Sequence, residues 1–157
     1  MTAGLVNGGM TTGHWETGRS MKKKLKCSLG ELSAKIHAMG LKFGLWVEPE
    51  MVSEDSDLYR AHPDWALQIP GKNPVRSRNQ LVLDFSRKDA VDFIFDSITE
   101  VLDYAEVEYL KWDMNRSLCD VFIPQQLDIR GKYCMITYWV FMIFLDRLLK
   151  RYPNLFD

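Results

Sequence analysis

The chain has 157 residues, of which 46% are hydrophobic and 26% charged, enough for one ordinary globular domain with a core and unlike a disordered or low-complexity composition. Its 20 Lys+Arg stand against 21 Asp+Glu, so no broad electrostatic field favours nucleic acid or an anionic membrane as partner. Three cysteines, Cys27, Cys119 and Cys134, form neither a CxxC pair nor an even framework, and no signal-peptide-like apolar block follows the N-terminus; a cytoplasmic location is expected.

Ser28 followed by Glu31 is a capping-box pattern, and Leu29, Leu32, Ile36 and Met39 then recur at helical spacing until Gly40 supplies a stop. A strand is expected over 41–48, with Leu41, Phe43, Leu45 and Val47 on one side and Gly44, Trp46 and Glu48 on the other. Pro49 ends it, 53–62 reads as a short helix, and Pro70 to Pro74 with Gly71 marks a loop. Residues 80–85 form the next strand. Ser86 is expected to cap a helix whose apolar stripe runs through Val91, Ile94, Phe95, Ile98, Val101 and Leu102. The apolar run from Tyr133 to Leu149 contains Asp146 and Arg147 and holds only about a dozen uninterrupted apolar or neutral residues, too short to span a membrane, and reads as a buried helix. Helix, strand, excursion, strand, helix, strand is the grammar of a parallel α/β sheet or barrel.

Within this frame the stretch Tyr109-Leu110-Lys111-Trp112-Asp113-Met114-Asn115-Arg116 carries the most information. Strand side chains alternate, so Tyr109, Lys111, Asp113 and Asn115 share one face and Leu110, Trp112 and Met114 the other. A cation, a carboxylate and an amide aimed at an enclosed space suit the C-terminal end of a barrel strand. An ion pair capping a strand end fits the octapeptide equally. Two further strand ends are polar: Trp46 with Glu48 and Glu50, and Asp84 after Ser77-Arg78-Asn79. An indole beside hydrogen-bonding charges suits a sugar, whose C–H face stacks while its hydroxyls take polar contacts. Taken singly, Trp46 reads more simply as core filler, Glu48 and Glu50 as a solvated loop, His62 as a helix cap and His37 as a helix-surface residue. No His/Cys cluster suggests a metal.

The runs 43–65 (Phe-Gly-Leu-Trp-Val-Glu-Pro-Glu-Met-Val onward), 77–84 (Ser-Arg-Asn-Gln-Leu-Val-Leu-Asp) and 111–116 (Lys-Trp-Asp-Met-Asn-Arg) closely resemble the bacterial α-galactosidases of glycoside hydrolase family thirty-six, in order, across about residues 25–122. The resemblance implies an α/β fold, a partial (β/α)8 TIM barrel with roughly three to four strands and flanking helices. It implies retaining hydrolysis of terminal α-galactosides of the melibiose and raffinose type, with no metal or organic cofactor. Asp113 then corresponds to the nucleophile, Lys111 and Asn115 to sugar-hydroxyl contacts, Arg78 to a contact in the same pocket, and Trp46 to a subsite wall. A galactoside oligosaccharide is the expected partner, and full-length relatives are expected to be homo-oligomers.

The chain departs from the family in three ways. The acid/base aspartate lies downstream in family members, in a stretch this chain does not contain, so the 157-residue polypeptide is expected to be inactive alone. A closed barrel takes about 250 residues, and this chain signals only part of one. The ends differ too: family members carry a segment like DDGWFGKR before the first helix, where this chain reads Met1 to Gly8. Codons compatible with Met1 to Gly8, shifted by one base, contain DGWFGKR, and those for Tyr133 to Phe144 can be recoded as VLYDYVLGLYDF, the family's next helix. Residues 1–21 and 125–144 of this single catalytic-domain fragment therefore read as out of frame. Two rivals stay open, a non-catalytic galactoside-binding remnant and a related galactosyl transglycosylase. A metal-dependent barrel using Glu48, Glu50 and Asp113 is the least favoured.

Overall fold

The computed structural model describes residues 26–114, 120 and 129–155. These form α1 (Leu29–Ala38), β1 (Gly44–Val47), β2 (Met51–Ser53), α2 (Asp57–Ala61), a 3-10 turn (Pro63–Trp65), β3 (Gln80–Val82), α3 (Lys88–Ala105), β4 (Tyr109–Trp112) and α4 (Ile129–Arg151), an α/β arrangement. The capping box at α1 is complete: the Ser28 hydroxyl accepts from the Glu31 N–H at 3.2 Å, and the Glu31 carboxylate accepts from the Ser28 N–H at 2.7 Å. Gly40, at φ 72°, takes the left-handed conformation that ends the helix.

β1 and β4 pair in parallel, Gly44 opposite Tyr109 and Val47 opposite Trp112, with α3 between them in sequence. Gly44 is required by this pairing, because a Cβ there would stand 3.0 Å from the Tyr109 ring and 3.2 Å from its carbonyl oxygen. The alternation expected of β1 is met on its inward side, where Phe43, Leu45 and Val47 are buried, and Leu110 of β4 is buried with them. Leu41 lies outside the strand and is exposed. The α3 stripe closes this core: Val91, Ile94, Phe95, Ile98 and Leu102 are buried, with Val101 packed at the margin. On the other edge of β4 the Leu110 N–H donates to the Leu155 carbonyl at 3.3 Å, so the segment after α4 lies along that edge.

Several expectations need correction. The expected strand at 80–85 shortens to β3 and does not join the parallel pair. It runs antiparallel to β2, an element not anticipated, because a turn at Glu48 to Met51 carries the chain off β1 and the Glu50 carbonyl then accepts from the Leu83 N–H at 2.9 Å. Ser86 does not cap α3; its N–H and hydroxyl both donate to Asp84 Oδ1, at 2.9 and 2.6 Å, and Arg87 occupies the cap position without a side-chain bond. α4 is a helix but not a buried one. Phe144 and Leu148 pack inward, Phe144 meeting Trp112 and Phe95 edge-on at 4.9 and 5.4 Å, while Met135, Tyr138, Trp139 and Ile143 are 56 to 63% exposed. Two ion pairs bind the end of α4 to α3, Arg147 to Asp92 at 2.7 Å and Arg151 to Asp103 at 2.6 Å. Of the segments read as out of frame, 1–21 lies outside the described residues and 125–144 is described from residue 129 onward.

Candidate functional site

The site gathers at the C-terminal ends of β1 and β4. Their register sets Trp46 opposite Lys111, and the Asp113 N–H extends the pairing by donating to the Val47 carbonyl at 3.0 Å. Asp113 is thereby held at the strand end beside Trp46, whose indole N–H donates to Asp113 Oδ2 at 2.9 Å. This bond turns one carboxylate oxygen toward the indole. Lys111 projects from the same strand two residues earlier and is exposed, as Tyr109 is, while Leu110 between them is buried.

Beyond Val47 the chain continues through Glu48, Pro49 and Glu50. The two glutamates are not a solvated loop: Glu48 is 6% and Glu50 3% exposed. The Arg78 guanidinium caps the first of them, its Nη2 donating to Glu48 Oε1 at 2.7 Å. Arg78 reaches there from a two-residue hairpin turn. Ser77 and Gln80 exchange backbone hydrogen bonds of 3.1 and 3.0 Å, and the residues between them, Arg78 at φ 53° and Asn79 at φ 59°, are both left-handed. Asn79 tolerates this conformation, but left-handed backbone at Arg78 is strained by about 1 kcal/mol and persists only where surrounding contacts hold it. The Glu48 ion pair is one such contact.

Of the residues singled out from the sequence, Trp46 and Asp113 are hydrogen-bonded to each other, Lys111 is their strand neighbour, and Arg78 joins the same strand end through Glu48. Asn115 lies outside the described residues. Asp84 is engaged with Ser86 at the entry to α3. The three-carboxylate metal reading finds no support in the geometry: among the described residues no group of three or more His, Cys, Asp or Glu side chains could hold an ion. Sequence reasoning missed Glu48 as the partner of Arg78, because nothing local joins positions thirty apart. The available signal was Asn79, a residue type that tolerates the left-handed turn bringing Arg78 back.

Two histidines take structural places. His62 stacks on Trp65 at 4.0 Å where α2 meets the 3-10 turn. His37 is on α1 but not a bare surface residue: its Nε2 lies 2.7 Å from Glu108 Oε2, which also accepts from the Phe43 N–H at 2.7 Å. That N–H, and then His37, hold the Glu108 carboxyl below its usual range. The knot ties α1 to the start of β1 and the approach to β4, so it supports the strand pair that carries the site.

The profile of the melibiase family matches residues 7–156. The chain is 52% identical over 143 residues to the bifunctional α-galactosidase/sucrose kinase AgaSK of Mediterraneibacter gnavus, covering 91% of this chain and 14% of that protein. It is 41% identical over 148 residues to the α-galactosidase AgaA of Geobacillus stearothermophilus, covering 91% and 19%. Among solved structures, the galactosidase domain of AgaSK superposes with a TM-score of 0.76 at 53% identity, over 85% of this chain and 18% of that one. A doubly substituted variant of the Geobacillus stearothermophilus AgaA in complex with raffinose superposes with a TM-score of 0.77 at 39% identity, over 85% and 19%. The chain thus spans less than a fifth of the length of each of these relatives.

Proposed function

The chain belongs to the melibiase family, and from that membership we propose that it is the nucleophile-bearing part of a retaining α-galactosidase acting on galactosides of the raffinose type. The observation that carries the reading is the Trp46 N–H bond to Asp113 Oδ2 across two paired strand ends. In a retaining glycosidase one carboxylate attacks the anomeric carbon while the glycosidic C–O bond breaks, and a second carboxyl about 5 Å away protonates the leaving oxygen and later activates water. Asp113 takes the first role. The indole N–H orients the carboxylate before attack, so that little reorganisation accompanies the chemistry. Lys111, on the same face of β4, binds sugar hydroxyls; Arg78 and Asn115 supply further hydroxyl contacts, and the Trp46 ring walls the subsite. No cofactor enters this chemistry.

The parallel β1–β4 pair with α3 between its strands, and the Leu155 segment on the far edge of β4, support reading this chain as part of a (β/α)8 barrel. The acid/base carboxyl is assigned to no described residue, and 1–21 and 125–144 are read as out-of-frame peptide. Turnover of unactivated galactosides by the 157-residue chain is therefore not expected. A cytoplasmic location accords with the composition. Among the described residues no helix is long and apolar enough to cross a membrane.

An aryl α-galactoside with a good leaving group needs little acid assistance and isolates the Asp113 step. The purified chain should release the aryl alcohol in a single stoichiometric phase, absent in Asp113→Asn. Equal inertness of the two, with galactose still bound, favours the non-catalytic binding reading instead. Formation of longer saccharides on adding an acceptor sugar favours the transglycosylase.

A further inference from the structure

Residues 75–78 are held by three carboxylates that come from three separate parts of the chain. The Val75 N–H donates to Asp120 Oδ2 at 2.6 Å, beyond β4. The Arg76 guanidinium donates through Nε and Nη2 to both oxygens of Glu54, at 2.5 and 2.9 Å, just after β2. Arg78 donates through Nη2 to Glu48 Oε1 at 2.7 Å, just after β1. The two arginines stand two positions apart, yet their pairs differ in kind. Arg76 and Glu54 meet fork to fork near the surface, an arrangement that anchors the segment. Glu48 is buried and engages a single amino group of Arg78, so it sets the attitude of the guanidinium without using up its fork of donors.

β1 puts Glu48 where this grip matters. Glu48 follows Trp46 by two residues, and strand alternation sets both on the side opposite Val47. The Trp46 indole is bonded to Asp113 and the Glu48 carboxylate to Arg78, so one strand end brings the guanidinium to the side on which Asp113 lies. Arg78 itself is poorly placed to be exact. It sits on left-handed backbone at a hairpin tip, with a long stem whose rotamers are free unless something fixed holds the far end. A carboxylate locked in the packed end of β1 is such a fixed point, and burying it is tolerable only because it is paired.

We propose that Glu48 is a positioning residue for sugar binding: it acts through Arg78, holding the guanidinium so that its remaining N–H donors meet one hydroxyl of the galactose ring. The inference rests on the reading of this site as a galactoside site and adds to it a residue and a role. A hydroxyl contact of this kind is made before and during attack alike, so its loss weakens binding and leaves the step at Asp113 in the bound complex unchanged.

Calorimetric titration of the full chain with galactose and its monodeoxy analogues, each lacking one hydroxyl, tests it. The wild type should bind galactose and lose about ten- to a hundredfold in affinity for the analogue that lacks the hydroxyl facing Arg78, the loss expected of a hydrogen bond to a charged group. Arg78→Ala identifies that analogue as the one to which it is indifferent. Glu48→Ala should be indifferent to the same analogue, keep the penalties for the other hydroxyls, and cost no further affinity when added to Arg78→Ala. Glu48→Gln keeps the side-chain volume and an acceptor for Nη2, so it folds where Glu48→Ala does not, and should narrow that one penalty several-fold. A folded Glu48 variant that discriminates among the analogues as the wild type does, or that loses affinity for all of them equally as a loosened fold would, overturns the proposal and leaves the galactoside reading standing. A wild type that binds none of these sugars overturns that reading and the proposal with it.

Discussion

Two tryptophans separate function from packing at the scale of single residues. Trp46 spends its N–H on Asp113, whereas the Trp112 indole nitrogen is buried with no hydrogen-bond partner among the described residues, and its ring meets Phe141 and Phe144 edge-on at 5.0 and 4.9 Å. Trp46→Phe keeps an aromatic wall but removes the donor, and should slow release from the activated galactoside by roughly ten- to a hundredfold, since an oriented hydrogen bond of this kind contributes about 1.5–3 kcal/mol when it meets a charge. Trp112→Phe removes no hydrogen bond among the described residues but shrinks a ring packed on Phe141 and Phe144, so it should lower the urea midpoint by about 1–3 kcal/mol of stability while leaving the release per folded chain unaffected. A release rate indifferent to Trp46→Phe would remove the orienting role of the indole.

Glu108 gives a pH test with a defined sign. Its carboxyl is held below its usual value of 4.5, first by the Phe43 N–H and then by His37. A depressed carboxyl stabilises the fold above its unfolded pKa, and that contribution disappears as pH falls through the folded value. Glu108→Gln should therefore lower the melting temperature at neutral pH, and the gap to the wild type should close on acidification below about pH 4.5. A gap that is constant with pH would show that the carboxylate's charge is not what holds Phe43. Tyr152 supplies the opposite limb. Burial first, then its bond to Asp103, raise its hydroxyl to about 12, so Tyr152→Phe should flatten the loss of stability seen between the unfolded value of 10 and that point.

Among the elements, most of what was legible in the sequence was periodic. The capping box and stop of α1, the inward side of β1 and the stripe of α3 follow from patterns within a dozen residues, and each is found where those patterns put it. β2 was not legible, because Met51, Val52 and Ser53 form a strand only by pairing with Val82, Leu81 and Gln80, far along the chain. Ser86 has the residue type of a helix cap, but the nearer Asp84 carboxylate captures both of its donors. Within the site, alternation alone put Lys111 and Asp113 on one face; the Glu48–Arg78 pair needed the tertiary turn at 77–80. Gly44 tests the strand pair as a unit. Gly44→Ala drives a methyl against Tyr109 and should destabilise the chain by about 1–3 kcal/mol, read as a lower urea midpoint.

For the whole molecule, α4 is where local and global consistency part. Its residues 133–144 are rich in β-branched and aromatic types that favour strands, and its outer face is apolar where the other end of the same helix is charged. The charged pattern resumes at Asp146, close to where the out-of-frame reading of 125–144 ends. Sequencing the encoding DNA decides that reading: codons that permit the one-base shifts at both ends support it, and codons incompatible with them reject it. The intact middle of the chain is another matter. There the strand pair, the Trp46–Asp113 bond and the Glu48–Arg78 pair form one connected arrangement, and the claim that Asp113 is a nucleophile rests on it.

Mass spectrometry of the chain after exposure to an activated α-galactoside tests that claim most directly, because a retaining mechanism leaves an ester between the sugar and one carboxylate. A galactosyl adduct on the peptide containing Asp113, lost in Asp113→Asn, is the predicted result; a folded chain that binds galactose yet carries no adduct, or carries it on another carboxylate, would contradict the assignment.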